Sequence, residues 1–167
     1  MKPYLASQRC NELYDALPPE IREKLIAHET ETTFPAGMQI IRAGVHPENL
    51  IIIASGLVEI SLPVAQGAFS LVLAGKGKVL GLRSVVSGDL PDTDVTTLEA
   101  STVATIPQKE FLQILHQHPQ MYGAIAKVLS TDLKTADSLL RQVADGATVK
   151  RNRKTLPLIT LMTQMGK

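Results

Sequence analysis

The residues best suited to bind a ligand cluster around one turn of the sequence. Gly81 precedes a predicted short helix, and Arg83 and Ser84 fall in the first turn of that helix. Lys76 and Lys78 lie on the approach to it. Free N–H groups at the start of a helix attract anions, and cationic side chains strengthen that attraction. The sequence therefore allows a small anionic ligand at this turn.

Catalytic chemistry finds no comparable support. There is no Gly-x-Ser-x-Gly nucleophile elbow, and Gly75-Lys76-Gly77-Lys78-Val79 differs from a nucleotide-binding P-loop because Val follows the Gly-Lys pair. A metal enzyme of the cupin type needs several histidines on adjacent strands, whereas only His46 lies in the strand-rich region. His116 and His118 stand two apart on a predicted helix and so point to different sides. We predict no catalytic residue, no metal and no cofactor.

Composition predicts one globular domain. The chain has 167 residues, of which 44% are hydrophobic and 20% charged. Its longest apolar run, residues 50–54, is far shorter than the roughly 20 residues of a membrane-spanning helix. Cys10 is the single cysteine, which excludes an internal disulfide, and we interpret it as a packing residue. The polar N-terminal segment shows no secretory signal, so we expect a cytoplasmic protein without membrane association.

Charge is distributed unevenly along the chain. Residues 148–167 carry five of the 17 basic side chains and no acidic one, which leaves 12 basic against 16 acidic side chains in residues 1–147. A body with net charge −4 does not suit nucleic acid. We interpret the basic cluster at 150–154 as a solvated terminus. The alternative is a weak, salt-sensitive contact with an acidic partner, nucleic acid or a membrane surface.

The hydrophobic pattern divides the chain into three parts. Residues 3–29 predict two short helices, the second starting at Pro19. Residues 30–107 alternate β-branched runs with glycine and proline, which is typical of an antiparallel sandwich or barrel. Within them, residues 51–54 and 57–60 flank Ser55-Gly56, a pattern that predicts a β-hairpin. The predicted strands are 39–42, 50–54, 57–62, 69–73, 94–98 and 102–106.

A long helix is predicted over residues 119–145, with Gly146 as its stop. Apolar residues recur along it in alternating steps of four and three, the heptad repeat that pairs helices in coiled coils. A second stripe of Met121, Ile125 and Val128 lies beside its first half. We expect that half to pack on the chain's own barrel while the heptad seam joins a parallel homodimer. In the alternative, the whole stripe packs within one chain. The seam positions are Tyr122, Ala126, Leu129, Leu133, Ala136, Leu140, Val143 and Ala147.

Several separated motifs occur in one order. They are Phe34-Pro35-Ala36-Gly37 with Gly44 after it, Ser55-Gly56 between two apolar runs, the segment 79–88 around Gly81, Ile106-Pro107, and Phe111-Leu112 followed by His118-Pro119. With two short helices before them and a long helix behind, these motifs resemble the sensor domain of the Crp/Fnr family. The resemblance covers residues 10–145.

The resemblance implies an α+β fold. A jelly-roll-like antiparallel β-roll of the cyclic nucleotide-binding type would be flanked by N-terminal helices and a long C-terminal dimerisation helix. It divides the chain into a sensor domain over residues 1–146, with the dimerisation helix at 119–145, and a basic and apolar tail over residues 147–167. The family's transcription factors carry a winged helix-turn-helix after the long helix, and the tail is too short for one. We therefore expect no DNA-binding domain and no DNA binding of that kind.

The sequence departs from the family's cyclic-nucleotide cassette in three places. Where cAMP-binding members have Gly-Glu, and the Glu accepts a hydrogen bond from the ribose, this chain has Gly81-Leu82. Where they have Arg-Ser, and the Arg neutralises the phosphate, it has Pro91-Asp92, and the Asp carboxylate would repel a phosphate. Where they offer Thr-Ser to the adenine, it has Ala136-Asp137. We expect no cAMP or cGMP binding in the usual mode.

The resemblance thus implies a degenerate cassette made of Gly81, Leu82, Arg83, Ser84, Pro91 and Asp92. Two interpretations stay open for it. Gly81, Arg83 and Ser84 could cradle a different anion, or Leu82 and Val85 could fill the barrel mouth and leave the cassette empty. We favour the empty cassette.

The predicted function is a non-enzymatic regulatory or sensor module of the Crp/Fnr type. Its long dimerisation helix would transmit the signal to a protein partner or an effector domain. The alternatives are a transcriptional regulator that binds DNA or a partner through the basic tail, and a sensor for an anionic ligand other than a cyclic nucleotide. A small cupin-type enzyme is the remaining rival.

Overall fold

The structure is a computed structural model that describes residues 11–144. Eight strands run from residue 30 to residue 107, as the sequence predicts for the β-roll. They are β1 (Thr30–Phe34), β2 (Gln39–Ile41), β3 (Asn49–Ser55), β4 (Val58–Val64), β5 (Gly67–Ala74), β6 (Val79–Leu80), β7 (Asp94–Thr97) and β8 (Ser101–Pro107). The four α-helices are α1 (Pro19–Ile26), α2 (Leu82–Ser87), α3 (Gln108–Gln117) and α4 (Met121–Ala144).

The strands form two antiparallel four-stranded sheets. The first has the order β1-β8-β3-β6 and the second the order β2-β7-β4-β5. In the first sheet Ile51 of β3 lies opposite Thr105 of β8 and Leu80 of β6. In the second sheet Val58 of β4 lies opposite Thr97 of β7 and Ala74 of β5. The result is the jelly-roll-like β-roll that the sequence predicts, with helices before and after it.

Alternation along the first sheet divides the hydrophobic core into two clusters. Successive side chains of a strand point to opposite faces. Ile51 and Ile53 of β3 join the roll cluster, which fills the space between the two sheets. Leu50 and Ile52 face the other way and join the helix cluster, which includes residues from all four helices. The first sheet is therefore apolar on both faces, which explains the unbroken apolar run of residues 50–54.

The N-terminal helices are partly as predicted. α1 begins at Pro19, with Pro at its first position and Glu20 in its first turn. The region before it, predicted as the first of the two helices, contains only a short 3₁₀ turn at Tyr14–Ala16 within the described residues. The Asn11 side chain explains the start of this turn, because its Oδ1 accepts hydrogen bonds from the N–H groups of Leu13 and Tyr14 at 3.0 and 2.8 Å.

The predicted hairpin around Ser55-Gly56 is wrong. β3 and β4 flank these residues as expected, but β3 pairs in the first sheet and β4 in the second. The chain therefore crosses from one sheet to the other at Gly56, where φ is +97°. A Cβ atom there would lie 2.2 Å from Ser101 Oγ, so the crossing passes too close to β8 for any side chain. The hairpin forms one strand later, between β4 and β5, where Val64 lies opposite Gly67.

Two of the eight strands, β1 and β6, could not be predicted from the sequence pattern. β1, with the sequence Thr-Glu-Thr-Thr-Phe, has no alternating apolar face because four of its five residues are exposed. β6 has two residues, too few to show any period. Both are edge strands of the first sheet. The other six strands match the predicted segments to within two residues at each end.

The long helix is present, and its first half packs as the sequence predicts. α4 runs over 24 residues within the described part of the chain. Met121, Ile125 and Val128 are buried in the helix cluster together with Ala124. The predicted stop at Gly146, the seam position Ala147, Cys10 and the tail over residues 147–167 lie outside the described residues.

Candidate functional site

An open cleft of about 990 Å³ lies between the edges of the two sheets, the start of α2 and the second half of α4. Its walls come from β5 and β6, from the turn between them at residues 75–78, and from α4 residues including Leu129 and Asp132. All six residues of the predicted cassette line this cleft. They are Gly81, Leu82, Arg83, Ser84, Pro91 and Asp92.

Gly81 forms the junction between β6 and α2. Its φ of +77° is in the left-handed region that favours glycine, and its carbonyl accepts the N–H of Val85 at 2.9 Å. α2 is only six residues long and ends at Gly88, which is also left-handed. The glycine pair therefore fixes a tight helical turn that holds Arg83 at the cleft.

The side chains of Leu82 and Val85 do not close the cleft. Both are buried in the helix cluster, on the far side of the first sheet from the roll interior. The roll interior is filled instead by residues such as Ile41, Leu80 and Val95. A cleft of this volume therefore remains beside Leu82, which also lines it, and whether the cassette is empty or binds a ligand stays a prediction.

The guanidinium of Arg83 is paired within the chain. Its Nη2 lies 2.8 Å from Asp92 Oδ2 and also approaches the carbonyl of Leu90 at 3.5 Å. Both charged side chains are exposed, so the pair is surrounded by water. Pro91 beside it is buried, and its carbonyl accepts the N–H of Gly44 at 2.8 Å, which ties this loop to the end of β2. The Asp92 carboxylate thus occupies the place where an anionic ligand would meet Arg83.

Lys78 is the second cation of the cleft, and it connects three parts of the molecule. Its Nζ lies 3.1 Å from Glu12 Oε1 in the N-terminal segment and also contacts Asp132 Oδ1 on α4. Glu12 accepts a further hydrogen bond from the N–H of Val79 at 2.9 Å. Burial alone would lower the pKa of Lys78, but the hydrogen bonds and negative charges of Asp132 and Glu12 outweigh it and raise the pKa above its ordinary value of 10.5.

The charges that line the cleft nearly cancel. Lys78 and Arg83 are matched by carboxylates, and Lys76 at the rim is exposed. Asp15 adds one more exposed acid to the lining. The four acids thus exceed the three cations, so the cleft as a whole does not attract anions. The acids are Glu12, Asp15, Asp92 and Asp132, and the cations Lys76, Lys78 and Arg83.

Most of the remaining lining is aliphatic. β5 contributes Leu71, Val72 and Leu73, and α4 contributes Leu129 and Leu139. The sequence analysis did not assign these residues or the two acids Glu12 and Asp132 to the site. For Asp132 and Leu139 a signal existed, because they continue the stripe of Met121, Ile125 and Val128 in steps of four and three along α4. For Glu12 and β5 no local pattern could show which surface they face.

The heptad seam of α4 exposes large apolar side chains to solvent. Three of its large residues, Tyr122, Leu133 and Leu140, are 48%, 66% and 55% exposed. Ala126 and Ala136 are exposed and Leu129 is half-buried, while the side chain of Val143 lies outside the described part. Leu129 and Ala136 line the cleft as well. The seam and the cleft therefore meet along one edge of α4.

Residues 11–144 contain neither a cluster of metal ligands nor a helix that could span a membrane. No group of three or more His, Cys, Asp or Glu side chains in this part of the chain is arranged to hold a metal ion. Among the helices of the same part, none has the length and apolarity needed to cross a bilayer.

Comparison with solved structures supports the fold. The chain superposes on the catabolite activator protein of Thermus thermophilus with a TM-score of 0.68 at 21% identity, covering 80% of this chain and 63% of that one. The c-di-GMP-responsive global regulator CLP of Xanthomonas campestris gives 0.65 at 20% identity, with 76% and 65% covered. The sensor domain of the transcriptional regulator DNR of Pseudomonas aeruginosa gives 0.62 at 16% identity, with 85% and 90% covered. The chain thus spans less than two thirds of the first two structures.

Sequence comparison identifies the family. Comparison with curated protein sequences gives no significant match. The family model for the cyclic nucleotide-binding domain matches residues 31–118, which is more than half of the chain and includes β2 to β8, α2 and α3. Together with the β-roll, the short helix after Gly81 and the long helix behind it, this match shows that the chain belongs to the cyclic nucleotide-binding domain family.

Proposed function

We propose that the chain is a non-enzymatic regulatory sensor of the Crp/Fnr type that forms a parallel homodimer through α4. The observation that carries the proposal is the division of α4 into two faces. One face is buried in the helix cluster over its first half, whereas the heptad seam, with Leu133 and Leu140, is exposed along the helix. A leucine seam of this regularity is the surface on which parallel helices pair.

The same helix connects the cleft, where a ligand would bind, to the seam on which the proposed dimer depends. Leu129 and Ala136 belong to the seam and also line the cleft, and Asp132 between them is paired with Lys78. A ligand that fills the cleft would therefore contact the helix on which the dimer depends. We propose that occupancy of the cleft changes the geometry of α4 and that a protein partner or an effector domain responds to this change.

The cleft does not offer the contacts that a cyclic nucleotide requires. Leu82 is buried and cannot accept a hydrogen bond from a ribose hydroxyl. Pro91-Asp92, which the family resemblance matches to the phosphate-binding Arg-Ser pair, supplies an acid that is paired with Arg83. We propose that the signal is not cAMP or cGMP, and that the protein works in the cytoplasm as a sensor of another molecule.

Sedimentation of seam variants tests the dimer. Leu133→Glu or Leu140→Glu would bury a charge at the seam, so each variant should sediment as a monomer under conditions in which the parent is a dimer. Ser138→Glu is the matched control, because Ser138 is exposed on the side of α4 opposite the seam and the parent mass should be kept. A dimer that survives both leucine substitutions would refute the seam.

The alternative in which the basic tail binds DNA has its own test. The cluster at 150–154 lies outside the described residues, so its charge pattern alone supports that alternative. A gel-shift titration against salt separates the two, because a sensor without DNA contacts should give no shift at any salt concentration, whereas tail binding would weaken steeply as salt rises.

A further inference from the structure

We infer that the cleft binds an uncharged, predominantly apolar small molecule, an inference that rests on the proposed sensor function and specifies its ligand. The volume of about 990 Å³ lies within the range of about 300–1,000 Å³ that is usual for small-molecule sites. The chemistry of the walls then decides which class of molecule fits.

The charged side chains of the cleft are already engaged with one another. A phosphate or carboxylate at Arg83 would have to displace Asp92, and at Lys78 it would have to displace Glu12 and Asp132. In either place the displaced carboxylates would stay close to the incoming anion, because they belong to the same walls. The third cation, Lys76, is exposed and remains hydrated. An anion therefore gains little and meets like charge.

Two of the four polar uncharged side chains of the lining, Asn11 and Thr135, are also occupied by the chain itself. The Asn11 Oδ1 caps the turn at residues 13 and 14, and the Thr135 hydroxyl donates to the carbonyl of Thr131 at 3.1 Å. The Asp132 carboxylate is held by Lys78. A ligand rich in hydrogen-bonding groups would find few free partners on these residues.

Aliphatic side chains supply the remaining surface on several sides. Ile60 of β4 and Val72 of β5 lie opposite each other on the inner face of the second sheet and form one wall. Leu129 and Leu139 of α4 form another. All four side chains are half-buried, so apolar surface remains in contact with water. Covering such surface with an apolar ligand is favourable in proportion to the area removed from water.

Titration with N-phenyl-1-naphthylamine tests the inference. This dye is uncharged and fluoresces strongly once it leaves water. We expect saturable binding of one dye per chain that changes little between low and high salt and is not reversed by millimolar inorganic phosphate. Leu139→Gln should weaken it about tenfold, because it replaces part of the apolar wall on α4 with an amide. Leu98→Gln is the control, since Leu98 is an exposed leucine that does not line the cleft, and it should bind as the parent does.

Three outcomes would overturn the inference. They are an absence of dye binding to the folded parent, equal binding by the Leu139→Gln and Leu98→Gln variants, and competition by phosphate together with suppression by salt, which would show an anion site. Circular dichroism confirms that each variant is folded. Sedimentation of the same samples keeps the two proposals apart, because a dimer that binds no dye contradicts the ligand class alone, whereas a monomer that binds dye contradicts the dimer alone.

Discussion

At the scale of single residues, the proposed ligand cleft contains a cation whose charge is balanced by a neighbouring acid. Arg83 is a cation at the start of α2, in a position that would suit an anion. Asp92 lies 2.8 Å from it and cancels its charge. Because both side chains are exposed, the pair itself adds little to stability. We expect its consequence to be selectivity, since the acid would repel the phosphate of a nucleotide ligand.

Removing that acid should restore part of the attraction. The parent protein should show no rise in melting temperature with cAMP or cGMP at millimolar concentration, because we propose that its folded state binds neither nucleotide and so gains no stability from them. In Asp92→Asn the guanidinium is free and the repulsion is gone, so we expect inorganic phosphate and cAMP to bind weakly, with an affinity several-fold higher than in the parent and falling with salt. Calorimetric titration and thermal melting measure both effects.

Asp89→Asn is the control for this change. Asp89 lies on the same loop and accepts a hydrogen bond from the Ser87 hydroxyl, but it does not line the cleft. It should bind phosphate no better than the parent. A clear melting shift of the parent with cAMP that disappears in Arg83→Ala would contradict the argument, because it would show that Arg83 holds the phosphate despite Asp92.

At the scale of the elements, the sequence predicts most of the strands and misplaces one connection. The alternation of β-branched residues with glycine predicts six of the eight strands, and the heptad steps predict α4. The pattern around Ser55-Gly56 has the features of a hairpin, yet β3 and β4 belong to different sheets. Local sequence shows that the chain turns there, but only the packing of Gly56 against Ser101 shows which strand lies beside it.

Some residues of the candidate site can likewise be predicted from their sequence neighbours, whereas others are brought to the site only by the fold. The turn after Gly81, with Arg83 and Ser84, could be predicted because its residues are neighbours in sequence. Glu12 could not, because it reaches Lys78 from 66 residues away. For Asp132 the stripe along α4 indicates the helix face, but its pairing with Lys78, 54 residues away, depends on the fold. The apolar walls from β5 and α4 also required the fold, since neither segment differs in composition from an ordinary half-buried surface.

Two glycine-to-alanine substitutions measure how much the close approach between Gly56 and β8 contributes to stability. Gly56→Ala should lower the free energy of unfolding by about 3 kcal/mol or more, because a Cβ would overlap Ser101 in addition to the cost of a positive φ. Gly67→Ala shares the positive φ but has open space around its Cβ position, so it should cost only about 1 kcal/mol. Denaturant unfolding compares the two variants. Equal losses would show that backbone strain, and not the close approach to β8, makes Gly56 necessary.

At the scale of the whole molecule, Lys78 connects parts that are distant in sequence. It sits before β6 at the edge of the roll, Glu12 belongs to the N-terminal segment, and Asp132 lies midway along α4. Asp132 marks the point at which the buried face of α4 passes from the helix cluster to the cleft wall. The ion pairs therefore fix the second half of α4 against the roll at the place where a ligand would enter.

Lys78→Met should release this connection and leave Glu12 and Asp132 without their cation. We expect a loss of about 1–2 kcal/mol in the free energy of unfolding, less than for a fully buried pair because the three side chains are partly exposed. Lys76→Met is the matched control, since Lys76 lies two residues earlier and is exposed, and it should change stability by less than about 0.5 kcal/mol.

The pH dependence of that loss identifies its cause. The pKa of Lys78 is raised in the folded protein, because the carboxylates of Asp132 and Glu12 outweigh the effect of burial, so the folded state holds the proton more tightly than the unfolded chain. The stabilisation is then present in full below the unfolded pKa, near 10.5, and is lost as pH rises through the folded value above it. The difference in stability between the parent and Lys78→Met should stay constant from about pH 7 to about pH 9.5 and shrink in more alkaline solution. Denaturant unfolding across this range measures it, and a difference that persists unchanged at high pH would assign the effect to packing of the lysine stem rather than to its charge.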